Sequence, residues 1–178
     1  MSHLMWRLHF PVVIDEYQFM DVFGIRRSEY MVEFEIKISK ADLMREIKLM
    51  HCSQPIKYSK DWVKWEKHAH YLKRQIEKTP SIYDTIPGYS VNVTDYFIPN
   101  EFYFYVPDFL GDVAVRETAG TPYGVVIIGT THNSYGREYH SDYEVIKKAV
   151  KIHEKKADDK IYRSIAHGLS LRNRLMPS

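Results

Sequence analysis

One cysteine, Cys52, is all the chain contains, so no internal disulfide can form and no CxxC pair offers a zinc or redox site. That usage fits a reducing compartment, and a cytoplasmic protein is expected. No run of eighteen or more apolar residues occurs, and the first fifteen positions interleave His3, Arg7, His9, Pro11 and Asp15 with hydrophobic side chains; neither a membrane span nor a signal peptide is expected. Repeats, low-complexity tracts and Gly/Ser-rich linkers are missing as well. The Walker A, GxGxxG, HExxH and GxSxG patterns are absent, which leaves nucleotide-driven, dinucleotide, zinc-protease and serine-hydrolase chemistry without support in the sequence. Neither sign of charge dominates, with 25 Lys and Arg against 23 Asp and Glu.

What is present is enough for one core. With 178 residues, 44% of them hydrophobic, a single domain over residues 1–178 is expected. The small net charge of +2 hides an uneven distribution: residues 40–78 carry ten Lys/Arg against five Asp/Glu, and residues 143–178 carry nine against four. Basic segments of this kind suit a polyanionic partner, and equally describe solvated helix faces. The hydrophobic pattern alternates with period two over residues 10–14, 20–25 and 31–38, predicting strands, with Arg27-Ser28-Glu29 as the turn between the last two. At Lys40 the period becomes helical. Ser39 with Asp42 three positions on resembles a capping box, and Leu43, Ile47 and Met50 follow on one face. A second helix is predicted over 61–77, where Trp62, Trp65, Ala69, Leu72 and Ile76 form an apolar stripe destined for the core. Residues 79–100 read as an irregular connection holding at most a short strand at 89–93. Two buried strands then follow at 102–106 and 124–128, and helices at 143–157 and 159–169, the second capped by Asp158 or Asp159. The expected fold is α/β, a mixed four- to five-stranded sheet flanked by helices.

The informative segment runs from Asp21 to Asp42. If strands 20–25 and 31–38 form a hairpin centred on Ser28, residues whose numbers sum to 56 lie opposite each other, and Asp21 meets Glu35. The two-residue period then sends Val22, Gly24, Val32, Phe34, Ile36 and Ile38 to a core face. Asp21, Glu33, Glu35, Lys37 and Ser39 go to the other. Opposed carboxylates on adjacent strands repel, and a divalent cation neutralises them; carboxylate oxygens and water are the ligands Mg²⁺ prefers. Lys37 follows Glu35 by one strand repeat, within reach of a phosphate or a metal-bound water. Taken alone, the alternation also describes an ordinary half-exposed hairpin.

The run Glu33-Phe34-Glu35-Ile36-Lys37-Ile38-Ser39-Lys40-Ala41-Asp42 behind Asp21 resembles the core of the PD-(D/E)XK nuclease superfamily, in particular its small bacterial and phage-borne members of the MmcB-like DNA-repair type. Further resemblance lies at Lys67-His68, Pro99 to Pro107, Gly124 to Ile128, Lys147 to His153 and Ala166 to Arg172. The resemblance implies a DNA nuclease, dependent on Mg²⁺ or Mn²⁺, with helices on both sides of its sheet. It implies Asp21 and Glu35 as metal-binding acids, the Ile36 carbonyl as a further metal ligand and Lys37 as the catalytic lysine. Met20 stands where the superfamily has its proline. The N-terminus leaves little room for the family's leading helix and its acid, for which Asp15 and Glu16 are the nearest substitutes. The implied partner is DNA, in repair or phage DNA metabolism, and a homodimer is compatible with the chain. A nuclease fold kept as a non-cleaving DNA-binding or interaction module is the alternative.

On the helix at 61–77, Lys60, Lys64, Lys67, His68, Tyr71, Arg74 and Lys78 lie opposite the apolar stripe. Lys64, Lys67, His68 and Arg74 are candidates for nucleic-acid contact, with a solvated face as the competing reading. His68 and His70, two apart on a helix, cannot share a face as zinc ligands. Asp42 fits both a first-turn helix acid and a member of the site.

Overall fold

A computed structural model of the chain describes residue 10 and residues 12–17, 20–52, 61–72, 98–132 and 138–175. Six strands form one sheet in the order of the chain: β1 (Val12–Tyr17), β2 (Met20–Ile25), β3 (Met31–Ile36), β4 (Glu101–Pro107), β5 (Gly124–His132) and β6 (Glu138–Lys147). The pairs β1–β2, β2–β3 and β5–β6 are antiparallel, whereas β3–β4 and β4–β5 are parallel. Parallel neighbours need crossovers, and helices supply them. Helices α1 (Lys40–His51) and α2 (Trp62–Tyr71) lie between β3 and β4; a 3₁₀ turn at Asp108–Leu110 and α3 (Gly111–Glu117) lie between β4 and β5. Helix α4 (Asp159–Leu175) ends the described chain. The fold is α/β with a mixed sheet flanked by helices.

Local chemistry sets these elements. Ser39 caps α1, its side chain accepting from the Asp42 N–H at 3.2 Å, and Asp158 accepts from Ile161 N at 3.1 Å at the start of α4. The β2–β3 turn closes with Glu29 at φ 67°, a left-handed conformation unusual for glutamate. Cross-strand register then separates two faces. Ile14, Phe23, Ile25 and Met31 pack with Ile161 and Ile165 of α4, and Phe102, Phe104, Val106 and Val125 pack with Leu43, Ile47, Met50, Tyr71 and Ala114 from the other three helices. Since Phe23 pairs with Glu33 and Glu33 with Phe102, both groups lie on one face. The opposite face gathers Phe10, Val22, Val32, Phe34, Tyr103 and Val126.

Several expectations change. All four described α-helices pack on one face, not on two, because Phe10 and Ala149 help to close the other. The sheet has a sixth strand. Residues 143–157, expected as a helix, are the end of β6 followed by an irregular segment. That segment is strapped across the starts of the parallel strands: Val150 N donates to Pro122 O, Ile152 N to Asn100 O and Ala157 N to Glu29 O. Asn100 is fully buried and fastens it further, donating from Nδ2 to the carbonyls of His153 and Lys155, each at 2.8 Å. The strap spends its backbone N–H groups on these carbonyls, so a local helix has no claim on them. Helix α3 was not foreseen. The expected strand at 89–93 lies outside the described residues. Among the described residues no helix is long and apolar enough to cross a membrane.

Candidate active site

The hairpin has the expected register, with Val22 opposite Phe34 and Phe23 opposite Glu33, so the next rung sets Asp21 beside Glu35. The half-buried Asp21 carboxylate is fixed by the backbone: its Oδ2 accepts the Ile36 N–H at 2.7 Å. In the gap between the pairs Asp15–Val22 and Tyr17–Met20, Glu16 occupies the same rung on β1. Glu33, Glu35 and Lys37 share the helix-covered face and are 0%, 0% and 3% exposed. The alternation is therefore not that of a half-solvated hairpin.

Helices α1 and α2 cover this polar row and answer it charge for charge. Lys37 Nζ lies 2.8 Å from Glu35 Oε1, 3.4 Å from Glu46 and 3.7 Å from Asp42. Lys64 Nζ bridges Glu35 Oε1 at 2.7 Å and Glu46 Oε2 at 3.1 Å. Lys67 Nζ bridges Glu33 at 2.5 Å and Glu35 Oε2 at 3.2 Å, and lies 5.4 Å from the Phe102 ring centroid. Behind them, Tyr71 donates its hydroxyl to Glu33 at 3.0 Å. His68 links Glu46, 2.8 Å from its Nε2, to the Tyr123 hydroxyl, 2.9 Å from its Nδ1. An ionised Glu46 can only accept, so Nε2 carries the proton and Nδ1 accepts from Tyr123.

These contacts decide the protonation states. Burial alone would raise the Glu35 carboxyl, and Glu46 pushes the same way, but Lys67, Lys37 and Lys64 draw it down to about 2. Glu46 is likewise lowered: burial opposes this, and the His68 hydrogen bond with the Lys37 and Lys64 charges outweighs it. Burial works against the Lys67 ammonium, yet Glu33 and Glu35 hold it protonated above the ordinary lysine range. His68 is lowered by burial and the nearby Lys67 charge, against the pull of Glu46, which keeps it neutral near pH 7. Asp21 is different. Burial and then the Glu35 charge raise it, and it makes no ion pair among the described residues.

Asp21, Glu35, Ile36 and Lys37 thus meet as expected, and Lys64, Lys67 and His68 join them from α2. Two expectations need correction. Glu35 does not wait for a metal to be neutralised, because three ammonium groups already surround it. Nor is the polar face of α2 solvated or open to phosphates at Lys67 and His68, which are 9% and 1% exposed; α2 is buried on two faces, its Trp62–Trp65–Ala69 stripe packing separately with Cys52. Lys64 alone of the three lysines reaches water appreciably, its side chain 31% exposed. Arg74 lies outside the described residues. Glu46 was missed, although it had a signal: it falls inside the Leu43–Ile47–Met50 stripe, where a lone charge marks a buried partner.

For a divalent cation, Asp21 and Glu35 offer adjacent carboxylate oxygens, a donor set suited to Mg²⁺. Among the described residues no group of three or more His, Cys, Asp or Glu is gathered to hold a metal. Mg²⁺ needs no such cage, since it keeps several waters and takes one or two carboxylates. The pair fits the ion, provided one of the three ammonium contacts to Glu35 is released.

No protein-family model matches the chain, and no curated protein does. Among solved structures it is similar to the SPO1766 protein of unknown function from Silicibacter pomeroyi, at 13% identity and a TM-score of 0.49, covering 96% of this chain and 81% of that one.

Proposed function

We propose that the protein is a Mg²⁺- or Mn²⁺-dependent phosphodiester hydrolase acting on DNA in the cytoplasm. The observation that carries this reading is Asp21: a half-buried carboxylate, aligned by the Ile36 N–H, raised by burial and then by the Glu35 charge, and free of ion pairs among the described residues, beside the Glu35–Lys37 pair. In this reading Asp21, Glu35 and the Ile36 carbonyl hold the ion. Bound there, Mg²⁺ supplies charge to polarise the scissile phosphate and to activate water. Lys37 is held by Glu35, Glu46 and Asp42, so its ammonium is fixed before substrate arrives and can stabilise the charge that builds on phosphate oxygens. Exposed Lys40 and Arg45 on α1 supply cations near this row for the DNA backbone.

A panel of labelled single-stranded, duplex, flap and junction DNAs with Mg²⁺ or Mn²⁺ tests the proposal. Asp21→Asn, Glu35→Gln and Lys37→Ala should each abolish cleavage, with Asp21→Asn best preserving the fold because Asp21 supports no ion pair among the described residues. Full activity in any of the three, on a substrate the parent cleaves, would overturn the assignment. One observation favours the alternative of a non-cleaving interaction module: Glu33, Glu35 and Glu46 are already matched by Lys37, Lys64 and Lys67. Failure of the parent to bind Mg²⁺ or Mn²⁺ would decide for that alternative.

A further inference from the structure

We infer that Lys64 is a displaceable stand-in for the metal: without the ion its ammonium bridges Glu35 and Glu46, and on metal binding it leaves for solvent. The inference rests on the metal-dependent reading above and adds to it a built-in exchange. Three cations contact Glu35, and they are not equivalent. Lys37, with its side chain 4% exposed, is hemmed in by Glu35, Glu46 and Asp42. Lys67, 9% exposed, is tied to Glu33 as well and lies near the Phe102 ring. Lys67 cannot move without stranding the buried Glu33, and Lys37, enclosed on the strand itself, has no comparable exposure to water into which to move. Lys64, 31% exposed, already has part of its side chain in water, and its departure leaves Glu46 with His68 and Lys37, and Glu35 with Lys37 and Lys67.

Charge balance favours the exchange. With Asp42 answered by Arg45 at 3.2 Å, Glu33, Glu35 and Glu46 against Lys37, Lys64 and Lys67 sum to zero, so a dication shared with Asp21 would leave the row at +1 while all three lysines stay. Loss of one ammonium restores neutrality. It also relieves Glu35 Oε1 of one of its two ammonium contacts, since Lys64 holds that atom at 2.7 Å and Lys37 at 2.8 Å, and so opens one lone pair to the ion. A long, flexible lysine stem suits such a swing, and a released ammonium on the solvent side is available to a substrate phosphate.

Equilibrium Mn²⁺ binding to the intact protein tests this without substrate. Lys64→Met keeps the apolar stem and removes the competing charge, so it should bind Mn²⁺ about tenfold more tightly, the lower end of what neighbours of metal ligands typically contribute. Lys64→Arg should remain at or below the parent affinity. In the parent, amine acylation of Lys64 read by mass spectrometry should rise with Mn²⁺, while Lys37 and Lys67 stay protected. Binding to the parent with equal or weaker binding to Lys64→Met, or with unchanged Lys64 acylation, would overturn the exchange and leave the metal-dependent reading standing. No binding to either protein would overturn both.

Discussion

The two faces of β3 are both buried, yet they are built on opposite principles. Val32 and Phe34 pack into an apolar layer with Phe10, Val22, Tyr103 and Val126, where Phe34 stacks on Tyr103 at 5.5 Å between ring centroids. One residue out of phase, Glu33 and Glu35 lie under two helices and are held by ammonium groups and a tyrosine hydroxyl. Apolar contacts are individually weak and forgiving, whereas a buried charge is tolerated only while every partner is in position. A polar face so completely enclosed is poor material for stability alone, since hydrophobic residues of similar volume commonly do as well or better. Its presence in the centre of a sheet is what the proposed function would account for.

The largest effect should come from removing one partner on the charged face. Lys67→Met strands Glu33 and weakens the hold on Glu35, and should cost about 3–5 kcal/mol in urea denaturation at neutral pH. Phe34→Ala on the apolar face falls in the same range of about 3–5 kcal/mol, through lost contacts and a cavity. The two losses differ in kind. Adding Glu33→Gln to Lys67→Met should recover a large part of the stability, because it removes the stranded charge, and no second truncation should recover Phe34→Ala. If Glu33→Gln rescues nothing, the charged face is held by packing, and the contrast between the faces fails.

The sequence carried the hairpin well. Its register followed from the turn at Arg27-Ser28-Glu29, a local feature, and so did the meeting of Asp21, Glu35 and Lys37. The helix starts at Ser39 and Asp158 were legible for the same reason, since capping is written within four residues. What could not be read locally was which face meets water. Alternating charge and apolar residues have the same period whether the charges meet solvent or a covering helix, and only the tertiary arrangement of α1 and α2 over β3 distinguishes them. The misread helix at 143–157 has the same origin: its backbone is claimed by Pro122, Asn100 and Glu29, all distant in sequence.

A smaller effect, confined to the charged face, should appear with pH. His68 has an ordinary value of 6.5, lowered in the fold by burial and by Lys67. A depressed histidine contributes stability that is present above 6.5 and is lost as pH falls, because the unfolded chain takes up a proton that the folded one resists. Glu35 adds a second loss between 4.5 and about 2, while the raised carboxyls of Asp21 and Glu33 act in the opposite sense as they protonate. The His68 loss therefore sets in as pH falls below 6.5, with a slope no steeper than one proton, about 1.4 kcal/mol per pH unit, and the raised carboxyls oppose it where they titrate. His68→Gln, which can still donate to Glu46 and accept from Tyr123, should flatten that slope. Phe34→Ala should leave it unchanged. A slope that persists in His68→Gln would assign the titration to another group.

The smallest effect is expected at Ile38, where the alternation of β3 runs out. Continuing the two-residue period sends Ile38 to the apolar face with Val32, Phe34 and Ile36. The strand, however, ends at Ile36, and Ile38 is 77% exposed. The reason is local: Ser39 has to cap α1 and turn the chain into it, so three residues, Lys37 to Ser39, separate the end of β3 from the helix. Ile38→Ser should thus change stability by less than about 0.5 kcal/mol, as expected for a surface position. Burial of that side chain would instead make the substitution resemble a core truncation, with a loss of about 2 kcal/mol or more. Urea denaturation separates the two outcomes, and a loss of the larger size would return Ile38 to the apolar face and extend β3 past Lys37.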